Sequence, residues 1–197
     1  MNPISETITY RSEGSYDPKS RFYALIPHQP TLSSGVTIGL GYDLGFRKAP
    51  QVSSMFRQAG IPWEVTQQYL PAVGLRGVSA RNFLSQKQPP SLTEAQADRL
   101  FTLAYGEAAT DVQRICSKED VVNTYGATNW QALDPRIKEL LVDLRYRGDY
   151  TPLSRKLIQR AVVLNDLHSI RRIMQNRNFW PLVPISRFIA RQEILRR

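Results

Sequence analysis

The sequence predicts an α+β fold, mainly α-helical, with a small β-hairpin lobe near the N-terminus. Two observations predict it. Apolar residues alternate with small and polar ones from Val36 to Leu44, the two-residue period of a strand. After residue 50 the apolar spacing changes to the 3.6 period of helices. With 197 residues, 42% of them hydrophobic, the chain is long enough for one domain with a sizeable core in two lobes. The reading is a single domain over 1–197, with a β-lobe over about 14–50 and helices in the remainder. There are no internal repeats and no low-complexity linkers.

Residues 3–12 read as a first helix, with Glu13-Gly14 at its end, since glycine commonly closes a helix. Phe22 to Ile26 reads as a strand, Pro27 to Ser34 as a turn region and Val36 to Tyr42 as the returning strand. On that strand Val36, Ile38, Leu40, Tyr42 and Leu44 share the core face. Thr37, Gly39, Gly41, Asp43 and Gly45 share the other. Short helices follow over Gln51–Gln58, Trp63–Leu70 and Ser79–Lys87, punctuated by Pro62, Pro71 and Gly74 to Gly77. Ser91 or Thr93 caps a long helix with Glu94 in its first turn. Its apolar stripe is Ala97, Leu100, Phe101, Ala104, Ala108, Val112 and Ile115, and it is expected to link the two lobes. Asp134-Pro135 opens another helix, with Ile137, Leu140, Leu141 and Leu144 inward. Further helices are expected at about 153–164, 166–175 and 184–195.

The net charge of +9 and pI of about 9.9 point to an anionic partner, either nucleic acid or an anionic envelope polymer. No nucleic-acid recognition motif is present, so nucleic acid is not the expected partner. The basic residues concentrate in the last third, among them Arg145, Arg147, Arg155, Arg171, Arg177, Arg187 and Arg191. They read as a solvated helix face or as an electrostatic hold on a wall polymer. A single cysteine, Cys116, excludes an intramolecular disulfide and reads as a small buried residue. His28 lies in a loop and reads as solvent-exposed; His168 is far along the chain, so no metal site and no cofactor are expected. No apolar run reaches membrane-spanning length. The first 20 residues carry Glu6, Arg11, Glu13, Asp17 and Lys19, without the apolar core of a signal peptide. Glu139, Asp143 and Arg147 lie at i, i+4 spacing and read as surface ion pairs. Tyr146 to Tyr150 reads as a helix end and loop, in which Tyr146 and Asp149 are candidates for holding a saccharide.

The candidate site joins Ser12-Glu13-Gly14 to the segment from Ser34 to Gly45 (SGVTIGLGYDLG). An acid, a threonine and a second acid stand on a glycine-rich frame, the inventory for cleaving a glycosidic bond. A plain hairpin with turn glycines, Asp43 capping the next element, predicts the same residues. A dinucleotide fingerprint fits less well, because the last glycine, Gly45, falls one position late and no βαβ unit follows. A calcium β-roll requires repeated nonapeptides, and only one copy is present.

In residue type and order this pattern resembles the phage-type lysozymes, most closely the pesticin-like branch, whose catalytic domain is a bacteriocin muramidase. The resemblance is strongest over residues 12–45. It continues through Leu92 to Ala97 and a long helix, through Leu141 to Pro152, and through Val183 to Arg191. It implies a lysozyme-like fold and hydrolysis of the β-1,4 bond between N-acetylmuramic acid and N-acetylglucosamine in peptidoglycan. Glu13 matches the catalytic glutamate, Thr37 the active-site threonine and Asp43 the aspartate that follows it. Gly39, Gly41 and Tyr42 then belong to the substrate face. Arg187 matches an arginine of the terminal helix expected to pair with Glu13. Ordinary phage lysozymes place their aspartate where this chain has Phe22. Asp17 is the one acid between Glu13 and Thr37 and stands at the wrong spacing, so Asp43 is the expected second carboxylate. The implied protein is a monomeric antibacterial toxin or effector made in the cytoplasm. It would act on the wall of a target bacterium after delivery by a holin, an import domain or a type VI-like apparatus. Its expected partners are peptidoglycan and an immunity protein that plugs the cleft. A phage endolysin of the same activity, a lytic transglycosylase, a non-catalytic wall-binding protein and a nucleic-acid-binding protein are the alternatives.

Overall fold

Helices make up 63% of the described residues, beside one two-stranded antiparallel sheet, which is the mainly helical α+β class. The computed structural model describes residues 4–20 and 23–196. The chain divides into two compact units, Glu13–Ala104 and the pair of segments Met1–Ser12 and Tyr105–Arg197. The hairpin lies in the unit Glu13–Ala104.

In the hairpin unit, β1 (Thr37–Ile38) pairs with β2 (Tyr42–Asp43). The stretch expected to be one returning strand folds back on itself at Gly39-Leu40-Gly41. Gly39 and Gly41 have φ of 61° and 85°, left-handed conformations that glycine adopts at no steric cost. The predicted core face is kept, because direct cross-strand partners share a face, but Thr37, Gly39 and Gly45 of the other face are buried as well. Ile38 faces Tyr42, and Val36, Ile38, Leu40, Tyr42 and Leu44 are all buried. The expected strand from Phe22 to Ile26 is not formed by its described residues; Phe22 itself lies outside them. Tyr23 makes a single bridge to Ser15, and the chain then turns. The neighbour of β1 on its other side is His28, which exchanges both backbone hydrogen bonds with Thr37 at 2.9 and 2.8 Å. His28 is half-buried there and does not sit in a free loop.

Three short helices follow, α2 (Ala49–Gln58), α3 (Trp63–Tyr69) and α4 (Val78–Gln86). Phe56 packs between Tyr42, at 5.9 Å between ring centroids, and Tyr69, edge-on at 5.4 Å. Helix α5 (Glu94–Cys116) is capped by Thr93, whose Oγ1 accepts from the Gln96 amide while the Gln96 side chain accepts from the Thr93 amide. This reciprocal cap leaves two fewer orphan donors. Of the predicted stripe only Ala108 is not fully buried.

The other unit contains α1 (Ile8–Glu13) up to Ser12, the second half of α5, α6 (Glu119–Tyr125), α7 (Pro135–Arg147), α8 (Pro152–Val163), α9 (Leu167–Gln175) and α10 (Ile185–Arg196). Helix α6 is not among the predicted elements. Asp134 caps α7 through the Arg136 amide, with Pro135 in the first turn as expected. Gly148, at φ 90°, closes it. Ile137, Leu140, Leu141 and Leu144 of α7 form the centre of the core, with Ile158 and Val162, Ile170 and Met174, and Ile194 and Leu195 from the three later helices. Cys116 is a buried thiol, 3.4 Å from the Tyr150 hydroxyl.

The reading of Asp143 as a surface charge is corrected. Asp143 is 0% exposed and accepts hydrogen bonds from Thr9 Oγ1 (3.0 Å), Arg187 Nη2 (2.6 Å) and Arg191 Nε (2.6 Å). Arg187 and Arg191 are 6% and 0% exposed, so they belong to no solvated basic face. A buried carboxylate is tolerable only when paired and hydrogen-bonded, and α10 brings two guanidinium groups to it.

Candidate active site

Glu13 is the last residue of α1 and is half-buried. The start of its helix is fixed to α7 by two bonds. The Ile8 amide donates to Glu139 Oε1 at 3.0 Å, and Thr9 Oγ1 to Asp143. Glu13 is also the first residue of the hairpin unit. Thus Glu13, Thr37 and Asp43 lie in one compact unit, with Gly39, Gly41 and Tyr42.

The hairpin register sets Thr37 directly across from Asp43. Direct partners stand about 4.5–5.5 Å apart at Cβ. Thr37 is 3% exposed, and its Oγ1 reaches the Gly35 carbonyl at 3.5 Å. Asp43 is half-buried, and both of its carboxylate oxygens accept backbone N–H bonds. Oδ1 takes the Gly45 amide at 2.7 Å and Oδ2 the Gly35 amide at 3.2 Å. Asp43 therefore caps the short 3₁₀ turn Leu44–Phe46 and ties both ends of the hairpin together.

Gly35 and Gly45 make that clasp possible. A Cβ on Gly35 would stand 2.4 Å from Asp43 Oδ1 and 2.4 Å from the Gly45 nitrogen. One on Gly45 would stand 2.8 Å from the Gly35 Cα. The two backbones touch where no side chain fits. The sequence contained the signal, glycines flanking a strand–turn–strand segment at both ends, but only the fold reveals that they meet.

The substrate-face candidates fall in different places. Gly39 is buried against α5, 3.8 Å from Ala97 when a Cβ is added, so its bareness serves the turn and helix packing. Gly41 is half-buried. Tyr42 is 1% exposed, with the Arg47 guanidinium 4.0 Å over its ring. It is a core residue, as its strand face requires, and offers no open surface to a sugar.

Tyr146, Asp149 and Arg187 belong to the other unit. Tyr146 is half-buried near the end of α7. Asp149 gives one oxygen to Arg147 and the other to Arg191 Nη2 at 2.7 Å. Arg147 continues the chain of bonds to the Leu182 carbonyl at 2.7 Å. Arg187 grips Asp143 through Nε and Nη2. Burial pushes the Asp143 carboxyl upward. The charges of Arg187 and Arg191, with their hydrogen bonds, outweigh that and hold it below the ordinary carboxylate range. Nearby Tyr105 is pushed upward by burial first, then by the charges of Glu139 and Asp143.

Asp17, the acid set aside on spacing, is exposed and accepts from the Lys19 amide at 2.9 Å. Among the described residues no three His, Cys, Asp or Glu side chains converge as a metal site, and no helix is long and apolar enough to cross a membrane.

A family described as a domain of unknown function (DUF8812) matches residues 6–192. No curated protein matches the chain. The match takes in both units, from Glu6 in front of α1 to Gln192 in α10, and therefore every residue of the site just described, so the chain belongs to the DUF8812 family.

Proposed function

We propose that this protein is a muramidase that hydrolyses the β-1,4 bond between N-acetylmuramic acid and N-acetylglucosamine in peptidoglycan, with Glu13 as the general acid. One observation supports it most. A carboxylic acid ends a helix anchored to α7 by two hydrogen bonds, and it opens the compact unit in which a glycine-framed hairpin sets Thr37 opposite Asp43. The residue pattern of that hairpin is the one that resembles the pesticin-like lysozymes.

In this mechanism Glu13 donates its proton to the glycosidic oxygen as the C–O bond breaks. Positive charge develops on the sugar, and water then adds to the anomeric carbon and loses a proton, which replaces through solvent the one Glu13 gave to the leaving oxygen. Asp43 supplies negative charge beside the hairpin, and Thr37 a hydroxyl that orients water. The biological role proposed is that of an antibacterial toxin acting on the wall of a target cell.

The clasp at Asp43 favours a second reading. A carboxylate whose two oxygens already serve backbone amides is occupied structurally, which suits a lytic transglycosylase working with one acid. Such an enzyme closes the muramic ring on itself and consumes no water.

Digestion of purified peptidoglycan, with products reduced and weighed, tests both. Wild type should release muropeptides with reducible muramic ends, and a folded Glu13→Gln protein should release none. Anhydro products would move the protein to the transglycosylases. Full activity in folded Glu13→Gln would remove Glu13 from the chemistry.

A further inference from the structure

Helices α2 and α3 are joined by a short turn through Gly60 and Ile61, and a surface pocket of about 390 Å³ lies between them. That is within the roughly 300–1,000 Å³ of small-ligand pockets. Ile61, 4% exposed, and Thr66, 2% exposed, are the buried part of its lining. Pro50, Ser53, Ser54 and Arg57 of α2 and Trp63 of α3 complete it.

Thr66 Oγ1 donates to the Pro62 carbonyl and Ser54 Oγ accepts from Gln58, but three polar groups of the lining are uncommitted. Among the described residues, the Arg57 guanidinium, the Ser53 hydroxyl and the Trp63 indole N–H form no hydrogen bond or ion pair. Trp63 is 54% exposed, whereas Trp180, 4% exposed, donates its indole N–H to the Ile173 carbonyl. A half-exposed tryptophan beside an unpaired arginine is not explained by core packing.

We propose that this pocket binds a sugar ring bearing a carboxylate. The indole face offers a flat apolar surface to the C–H face of a pyranose. Arginine pairs with a carboxylate through two parallel N–H bonds. Serine hydroxyls both donate and accept, as ring hydroxyls require. One cation matches one negative charge, and the lining has one aromatic wall, so a base and its phosphates are a poorer match than an acidic sugar. This inference is independent of the muramidase reading, because it requires binding and no cleavage.

The test titrates N-acetylmuramic acid, and N-acetylglucosamine as the ring without the carboxylate, into the full chain by calorimetry. Saturable binding of the acidic sugar, at least tenfold tighter than the neutral one, is expected. Arg57→Gln should weaken it about tenfold or more, the scale of a lost charge-assisted hydrogen bond. Trp63→Ala should abolish it. Both side chains are exposed, and circular dichroism checks that both variants fold. Glu13→Gln should bind as wild type does, so loss of hydrolysis and loss of this site are read separately. Equal affinity for the two sugars, binding that survives both substitutions, or no saturation at the solubility limit would overturn the proposal.

Discussion

Replacing Asp143 by asparagine isolates what the buried charge network contributes. The side chain keeps its size and loses its charge. Arg187 and Arg191, 6% and 0% exposed, then retain two positive charges where one carboxylate had faced both. Asp149, with 17% of its side chain exposed, still pairs with Arg191 but divides its charge between Arg191 and Arg147. Removing one partner of a buried ion pair costs about 3–5 kcal/mol, because the other charge stays desolvated and uncompensated. For a chain of this length about 2–4 °C of Tm accompany each kcal/mol, so a fall of about 6–20 °C is expected. The assay is urea and thermal unfolding followed by tryptophan fluorescence, two of the three tryptophans, Trp130 and Trp180, lying in the unit that holds the network. Acid tests the same reasoning. A carboxyl held low in the folded state contributes stability that is complete above its unfolded value of about 4 and is lost as pH falls below it. Wild type should therefore lose more stability than Asp143→Asn on acidification from about pH 5, and the gap between them should narrow. A loss below about 1 kcal/mol at neutral pH, the range of exposed pairs, would refute the argument.

Three further outcomes follow from particular contacts. Gly35→Ala drives a Cβ to 2.4 Å from Asp43 Oδ1 and the Gly45 nitrogen; a cost of about 1–3 kcal/mol, typical of overpacking, should appear in denaturant unfolding together with loss of wall hydrolysis. Gly106→Ala, in α5 with nothing within 4 Å of the added atom, should instead gain about 0.5–1 kcal/mol of stability. Tyr150→Phe removes the hydroxyl that donates to Gln159 Oε1 at 2.5 Å, leaving a polar group on a fully buried residue short of its partner; unfolding should show a loss of about 1–3 kcal/mol.

Local chemistry was legible residue by residue. Asp134-Pro135 announced α7 because a capping carboxylate and a ring-locked φ act within one turn. The stripe from Ala97 to Ile115 announced α5 because burial on one face repeats with the helical period. Val36 to Leu44 declared its core residues through the apolar alternation of the sequence, although Thr37 and Gly39 between them are buried as well. Helix α6 escaped notice because only Val121 of its seven residues is fully buried, too little to print a stripe.

The sequence by itself determined the fold class, most helix positions and the core residues of the hairpin. Only the tertiary structure decided where that hairpin turns, that Asp43 clasps Gly35 and Gly45, and that Asp143, Arg187 and Arg191 are internal. The division has one physical cause. Caps and periodicity act between residues a few positions apart, whereas Asp143 and Arg187 meet across 44 residues and Thr9 and Asp143 across 134. A charge looks alike in the chain whether it ends in water or against a partner, and packing alone chooses between them.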